Sequence, residues 1–161
     1  MTSSMLIRVD FMDLKDPLGL LSDMLTGFRP IHIGMRYGDH YLSVPRNEPS
    51  SWRPYDVAHK IVSSKIVHSF EIDPPYHDPK LVALMGEGWI VDSGFRMFLT
   101  EWLHVGADLG MWSYKPDRVT CVGTISRQLR LAGLPIYSTT SCGLYKELMS
   151  LRDAGLATKT K

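Results

Sequence analysis

Cys121 and His32 are the two residues whose types and settings could together do covalent chemistry. Cys121 opens a run in which Val122, Ile125, Leu129 and Ala132 recur at helical spacing, and Gly133 suits the position just past a helix end. Thr120 can cap the start. The thiol therefore belongs to a first helical turn, where unpaired backbone N–H groups and the positive end of the dipole favour thiolate. Those N–H groups can also stabilise an oxyanion forming beside the sulfur. A thiolate needs a group that takes its proton and returns it to a leaving group, and imidazole titrates in the right range. His32 interrupts the alternating run Ile31 to Tyr37, on the face opposite Ile31 and Ile33, and Gly34 beside it leaves room for another element to pack closely. Each residue also has a plainer reading, as a small buried thiol and as a strand histidine satisfied by backbone.

The elements that must position this pair can be traced along the chain. Leu6 to Phe11 reads as a first strand, and Leu18 to Phe28 as a short helix after Pro17. Ile31 to Tyr37 is a strand, Gly38-Asp39 suits a two-residue type II′ hairpin, and His40 to Val44 returns. In that register Tyr37 faces His40, Met35 faces Leu42, Gly34 faces Ser43 and Ile33 faces Val44, so His32 shares a face with Tyr41 and Ser43. Pro45 to Pro54 reads as a surface loop. Lys65 to Asp73 is a further strand, with Ile66, His68, Phe70 and Ile72 on one side. Asp78 to Met85 reads as a short helix. Phe95, Phe98, Leu99, Trp102 and Leu103 form an aromatic helix face or, alternatively, a strand. Two helices follow, Cys121 to Ala132 and Leu144 to Ala154.

Composition bounds what such a chain can be. Its 161 residues suit one domain, 1–161, and 44% hydrophobic against 22% charged residues is enough for a sizeable core. A net charge of +1 gives no field for nucleic acid, so no nucleic-acid partner is expected. No apolar run approaches the ~20 residues of a membrane span, and the N-terminus has no signal-peptide pattern. The expectation is a soluble protein, cytoplasmic or virion-associated. With two cysteines, a disulfide framework and a Cys-rich zinc module are excluded.

Other residues weigh less. Cys142 could be capped by Thr140 or Ser141 and is the competing thiol. His32, His40, His59, His68, His77 and His104 lack the spacing of a metal site, and no cofactor is called for. Gly86-Glu87-Gly88-Trp89 is too short for a phosphate loop. Trp52, beyond the His32 hairpin, could line a substrate groove with Tyr41.

The stretch His32-Ile33-Gly34-Met35-Arg36-Tyr37-Gly38-Asp39 resembles the H-V-G-I-Y-x-G-D hairpin of the NlpC/P60 and papain-like superfamily. Thr120-Cys121 followed by Leu129 and Gly133 resembles its nucleophile helix, and Leu144-Tyr145-Lys146-Glu147-Leu148 resembles the helix that follows in YiiX-like members. His before Cys is the order of the circularly permuted branch, which includes lecithin–retinol acyltransferase-like proteins.

The resemblance implies an α+β fold, a small antiparallel sheet packed against helices, with Cys121 as nucleophile and His32 as base. It implies a thiol hydrolase cleaving an amide or ester, with a peptide, a peptidoglycan stem peptide or a lipid acyl group as substrate. The polar residue that orients the base in this family would fall at Val44, so Ser43 or Asn47 is the nearest substitute, with Glu71 and Asp73 as carboxylates from elsewhere. The hydrophobic residue at that place leaves a second expectation: a papain-like scaffold serving as a binding or structural part of a virion or another larger assembly.

Overall fold

The computed structural model describes residues 6–13, 15, 17–30, 32–43, 51–55, 65–73, 121–138 and 140–161. The strands are β1 (Ile7–Met12), β2 (His32–Tyr37), β3 (His40–Ser43), β4 (Ser51–Pro54), β5 (Ile66–Ile72) and β6 (Ala157–Lys159). The helices among these residues are α1 (Pro17–Thr26), α2 (Cys121–Leu131) and α3 (Ser141–Asp153). All neighbours in the sheet are antiparallel, in the order β4-β3-β2-β1-β5-β6. This is the small α+β architecture expected.

The alternation of β1 and β2 sorts the sheet into two faces. Ile7, Val9 and Phe11 join Ile33, Met35 and Tyr37 in the main core, against Val122, Ile125 and Leu129 of α2. Met12 faces the other way and packs with Tyr41 and Ile66 in a second, smaller cluster. Gly38 carries a φ of 54° while Asp39 does not enter that region, which is the type II′ combination. The hairpin register follows, with Tyr37 opposite His40, Arg36 opposite Tyr41 and Met35 opposite Leu42.

The β2–β3 ladder is seen from Tyr37–His40 to Met35–Leu42 among the described residues, and Val44, the expected partner of Ile33, lies outside them. Two expectations change. Ser51 to Pro54, expected within a loop, is an edge strand; Trp52 is its only large apolar residue, so it carries no visible alternation, and its proline is tolerated at an edge. In β5 the register shifts beside Met12, so that His68 lies opposite Phe11 but Ile66 lies opposite Met12. Val67 is the extra residue, and Ile66 turns to the second face rather than sharing one with His68, Phe70 and Ile72. The stretches read as helices at 78–85 and 95–103 lie outside the described residues.

α2 ends as its sequence predicts. Gly133 has a φ of 88°, its N–H donates to the Arg130 carbonyl at 2.9 Å, and the Leu134 N–H donates to the Leu129 carbonyl at 3.0 Å, a Schellman closure. α3 is followed by β6, a strand of three residues with too little pattern to be read in advance, paired to the outer edge of β5.

Candidate active site

Cys121 is the first residue of α2, is not in a disulfide, and is 6% exposed. Residues 121 to 126 are all buried, as are Gln128 and Leu129, so this helix is enclosed around its circumference rather than along one stripe. Thr124, Ser126 and Gln128 are buried with it, which a periodicity reading would have put on a solvated side. α2 packs against β2, the strand that His32 begins.

His32 is half-buried and lies directly opposite Met12. Cross-strand partners share a face, so His32 belongs with Met12, Gly34 and Tyr41, whereas Cys121 belongs to the core that contains Ile33 and Met35. The two residues thus flank β2 from its two sides. The room left by Gly34 is taken not by a separate element but by the ring of Tyr41 from β3.

Tyr41 is 3% exposed, and burial pushes its phenol far above the usual tyrosine value, with the nearby Asp10 carboxylate adding to the effect. Asp10, opposite Gly34, is 1% exposed and belongs to no motif in the sequence. Its Oδ1 accepts from Arg8 Nε at 2.9 Å and from the Ser69 hydroxyl at 2.5 Å, and Arg8 Nη2 also donates to Ser69 at 3.2 Å. Asp10 Oδ2 and the Tyr41 hydroxyl are buried without a hydrogen-bond partner. The available signal was an acid alone in the apolar run Val9 to Met12 of a central strand. On the same face, the Arg36 guanidinium sits 3.7 Å above the Tyr55 ring and donates from Nε to the Gly38 carbonyl at 2.8 Å.

Trp52 lies opposite Leu42, half-buried against the main core, on the Cys121 side of the sheet. Tyr41 and Trp52 therefore point to different faces. Ser43 is in β3 by its backbone, and Val44 and Asn47 lie outside the described residues. Glu71 stands opposite Arg8 in β5, separated from β2 by β1, and Asp73 follows that strand. Cys142 is the second residue of α3 and half-buried; the cap of that helix is Thr140, whose side chain accepts from the Gly143 N–H at 3.2 Å.

Among the described residues no group of three His, Cys, Asp or Glu gathers as a metal site, and no helix is long and apolar enough to cross a membrane. Compared with protein-family models, curated proteins and solved structures, the chain matches none of them.

Proposed function

We propose that the chain is a thiol hydrolase of the permuted papain-like type, cleaving an amide or ester in a peptide, a peptidoglycan stem peptide or an acyl lipid. The observation that carries this reading is the contact between α2, which begins at Cys121, and β2, which begins at His32. The His-before-Cys order, the antiparallel sheet and the enclosed helix support it as well.

In the reaction, Cys121 Sγ attacks the substrate carbonyl carbon while His32, which begins β2 on the opposite face, would accept the thiol proton around the end of that strand. The first-turn N–H groups of α2 stabilise the developing oxyanion. Collapse breaks the bond to the amine or alcohol, which leaves with the proton from His32. Water then attacks the thioester, with His32 again as base, and frees the acid. Ser43 or Asn47 would hold the imidazole on its own face, and Trp52, on the Cys121 side of the sheet, would line the approach; Tyr41, buried on the other face, is left out of it.

Differential alkylation with iodoacetamide at neutral pH tests this. Cys121 is expected to react ahead of Cys142, and Cys121→Ala to abolish both the fast labelling and the hydrolysis of a thioester-forming substrate. Equal labelling of the two thiols would count against an activated Cys121.

A second reading, a catalytically silent scaffold acting within an assembly, is favoured by one observation: strand parity sets His32 and Cys121 on opposite faces of β2. Slow, equal labelling of the two thiols, together with a loss of stability in Cys121→Ala as expected of a buried core side chain, would select it.

A further inference from the structure

The face of the sheet turned away from α2 carries one row of charge across its strands. Register places Glu71 of β5, Arg8 of β1, Arg36 of β2, Tyr41 of β3 and Arg53 of β4 side by side, each directly opposite the next. Arg8 and Arg36 stand opposite each other on the two central strands, a pairing of like charges that repels. Arg8 is compensated: its guanidinium donates to Asp10 and Ser69, and Glu71 is its partner on the other side.

Arg36 is held differently. Its Nε donates to the Gly38 carbonyl at 2.8 Å and its guanidinium carbon lies 3.7 Å from the centre of the Tyr55 ring, so the two side chains meet across β3. Tyr55 is fixed in turn, its N–H donating to the Asp39 carbonyl at 2.9 Å and its ring packed against Met12, Tyr41 and Ile66. Arg53 precedes Tyr55 by two residues, ~7 Å along an extended chain, and shares this face through its pairing with Tyr41. Tyr41, which stands between the two arginines in the row, leans away over Gly34, so its hydroxyl end is drawn out of the space between them.

We propose that Arg36 and Arg53 form an anion clamp that takes the phosphate group of free phosphate or of a phosphate monoester, with Tyr55 as its platform. Stacking and the Nε bond hold the Arg36 fork, so its remaining N–H groups are presented with little further loss of freedom, and a planar fork matches two phosphate oxygens. Arg53 is exposed and makes no ion pair or hydrogen bond among the described residues, which leaves its fork for the same anion. A phosphate monoester carries close to two negative charges at neutral pH, one for each guanidinium.

The described carboxylates near this row are engaged or distant. Asp10 is 1% exposed and bound to Arg8 and Ser69, and Glu71 is separated from β2 by β1. Asp39, exposed in the turn, makes no ion pair with either arginine. Two cations drawn to one ring repel each other, and an anion between them relieves that repulsion. The clamp lies on the face opposite Cys121 and stands independently of the hydrolase reading.

The test is an NMR titration of the full chain with inorganic phosphate at constant ionic strength near neutral pH, following the arginine Nε–H signals, with chloride as the screening control. Arg36 and Arg53 are expected to shift together and to saturate, while Arg152, paired with Asp153 in α3, stays still. Arg53→Gln and Arg36→Lys should each weaken binding by about tenfold, the second because an ammonium keeps the charge but loses the planar fork. Tighter binding of phenyl phosphate than of inorganic phosphate would assign the clamp to a monoester, and equal or weaker binding to the free ion. Shifts that rise linearly and match those from chloride, or saturable shifts that survive Arg53→Gln unchanged, would overturn the proposal. Arg53 is exposed, so its variant decides the matter even where Arg36→Lys fails to fold.

Discussion

The phenol of Tyr41 lies across the backbone of Gly34 on the neighbouring strand and fills the space that a side chain at position 34 would need. A Cβ there would overlap the Tyr41 hydroxyl and ring, including Cε1 at 2.9 Å. The tyrosine is buried and cannot swing into solvent without uncovering Met12 and Ile66. Gly34→Ala should therefore cost about 1–3 kcal/mol, the range for overpacking. In urea denaturation, Gly34→Ala combined with Tyr41→Ala should be less destabilised than the sum of the single changes. Additive penalties would mean that the two residues do not meet.

Asp10 is held on the second face by Arg8 and Ser69, at 1% side-chain exposure against 26% for Arg8. Removing the carboxylate leaves a guanidinium and a hydroxyl to find other partners, and solvent at Arg8 softens that loss. Asp10→Ala should destabilise by about 2–3 kcal/mol, and Ser69→Ala, which removes one contact, by about 1 kcal/mol. The order of the two denaturation midpoints is the check. An Asp10→Ala variant as stable as the parent would show that the carboxylate contributes nothing to the sheet.

Glu147 of α3 reaches back to the segment that enters its own helix. Its carboxylate accepts the Tyr137 N–H at 3.1 and 3.2 Å from its two oxygens, and the Ser138 N–H at 3.1 Å. Those N–H groups have no strand or helix to satisfy them, so Glu147 sets the path from α2 to α3. Glu147→Ala should cost about 1–2 kcal/mol, and Glu147→Gln, which keeps one acceptor oxygen, about half of that. Equal losses in thermal unfolding of the two variants would point to charge rather than hydrogen bonding.

Much of this frame could be read from the sequence, for reasons that are local. Ile7 to Met12 and His32 to Tyr37 alternate with period two, Gly38-Asp39 names its own turn, and Gly133 marks the end of α2. What could not be read depends on partners distant in sequence. The bulge at Val67 is set by pairing with Met12, β6 exists only because the edge of β5 is there to receive it, and Trp52 becomes a strand residue by pairing with Leu42. The same applies to the site: Cys121 at a helix start and His32 on a strand were legible one by one. Their placement on the two sides of β2 was not, because it depends on which face of the sheet α2 covers.

That placement gives the substitution of His32 its meaning. A thiol at a helix start is activated by backbone N–H groups alone, without any base, and His32 must act through the margin of the sheet to add to this. If His32 is the proton acceptor for Cys121, His32→Asn should slow alkylation of Cys121 at pH 7 by at least about tenfold and hydrolysis by roughly 100-fold or more. Cys142 alkylation should stay unchanged, as an internal reference within the same molecule. The half-buried position of His32 makes asparagine tolerable, and an unaltered melting curve would exclude unfolding as the cause. If Cys121 keeps its reactivity in His32→Asn while Cys121→Ala removes it, the helix start alone activates the thiol. The base must then come from the Cys121 side of the sheet, and His32 is a residue of the Tyr41 face.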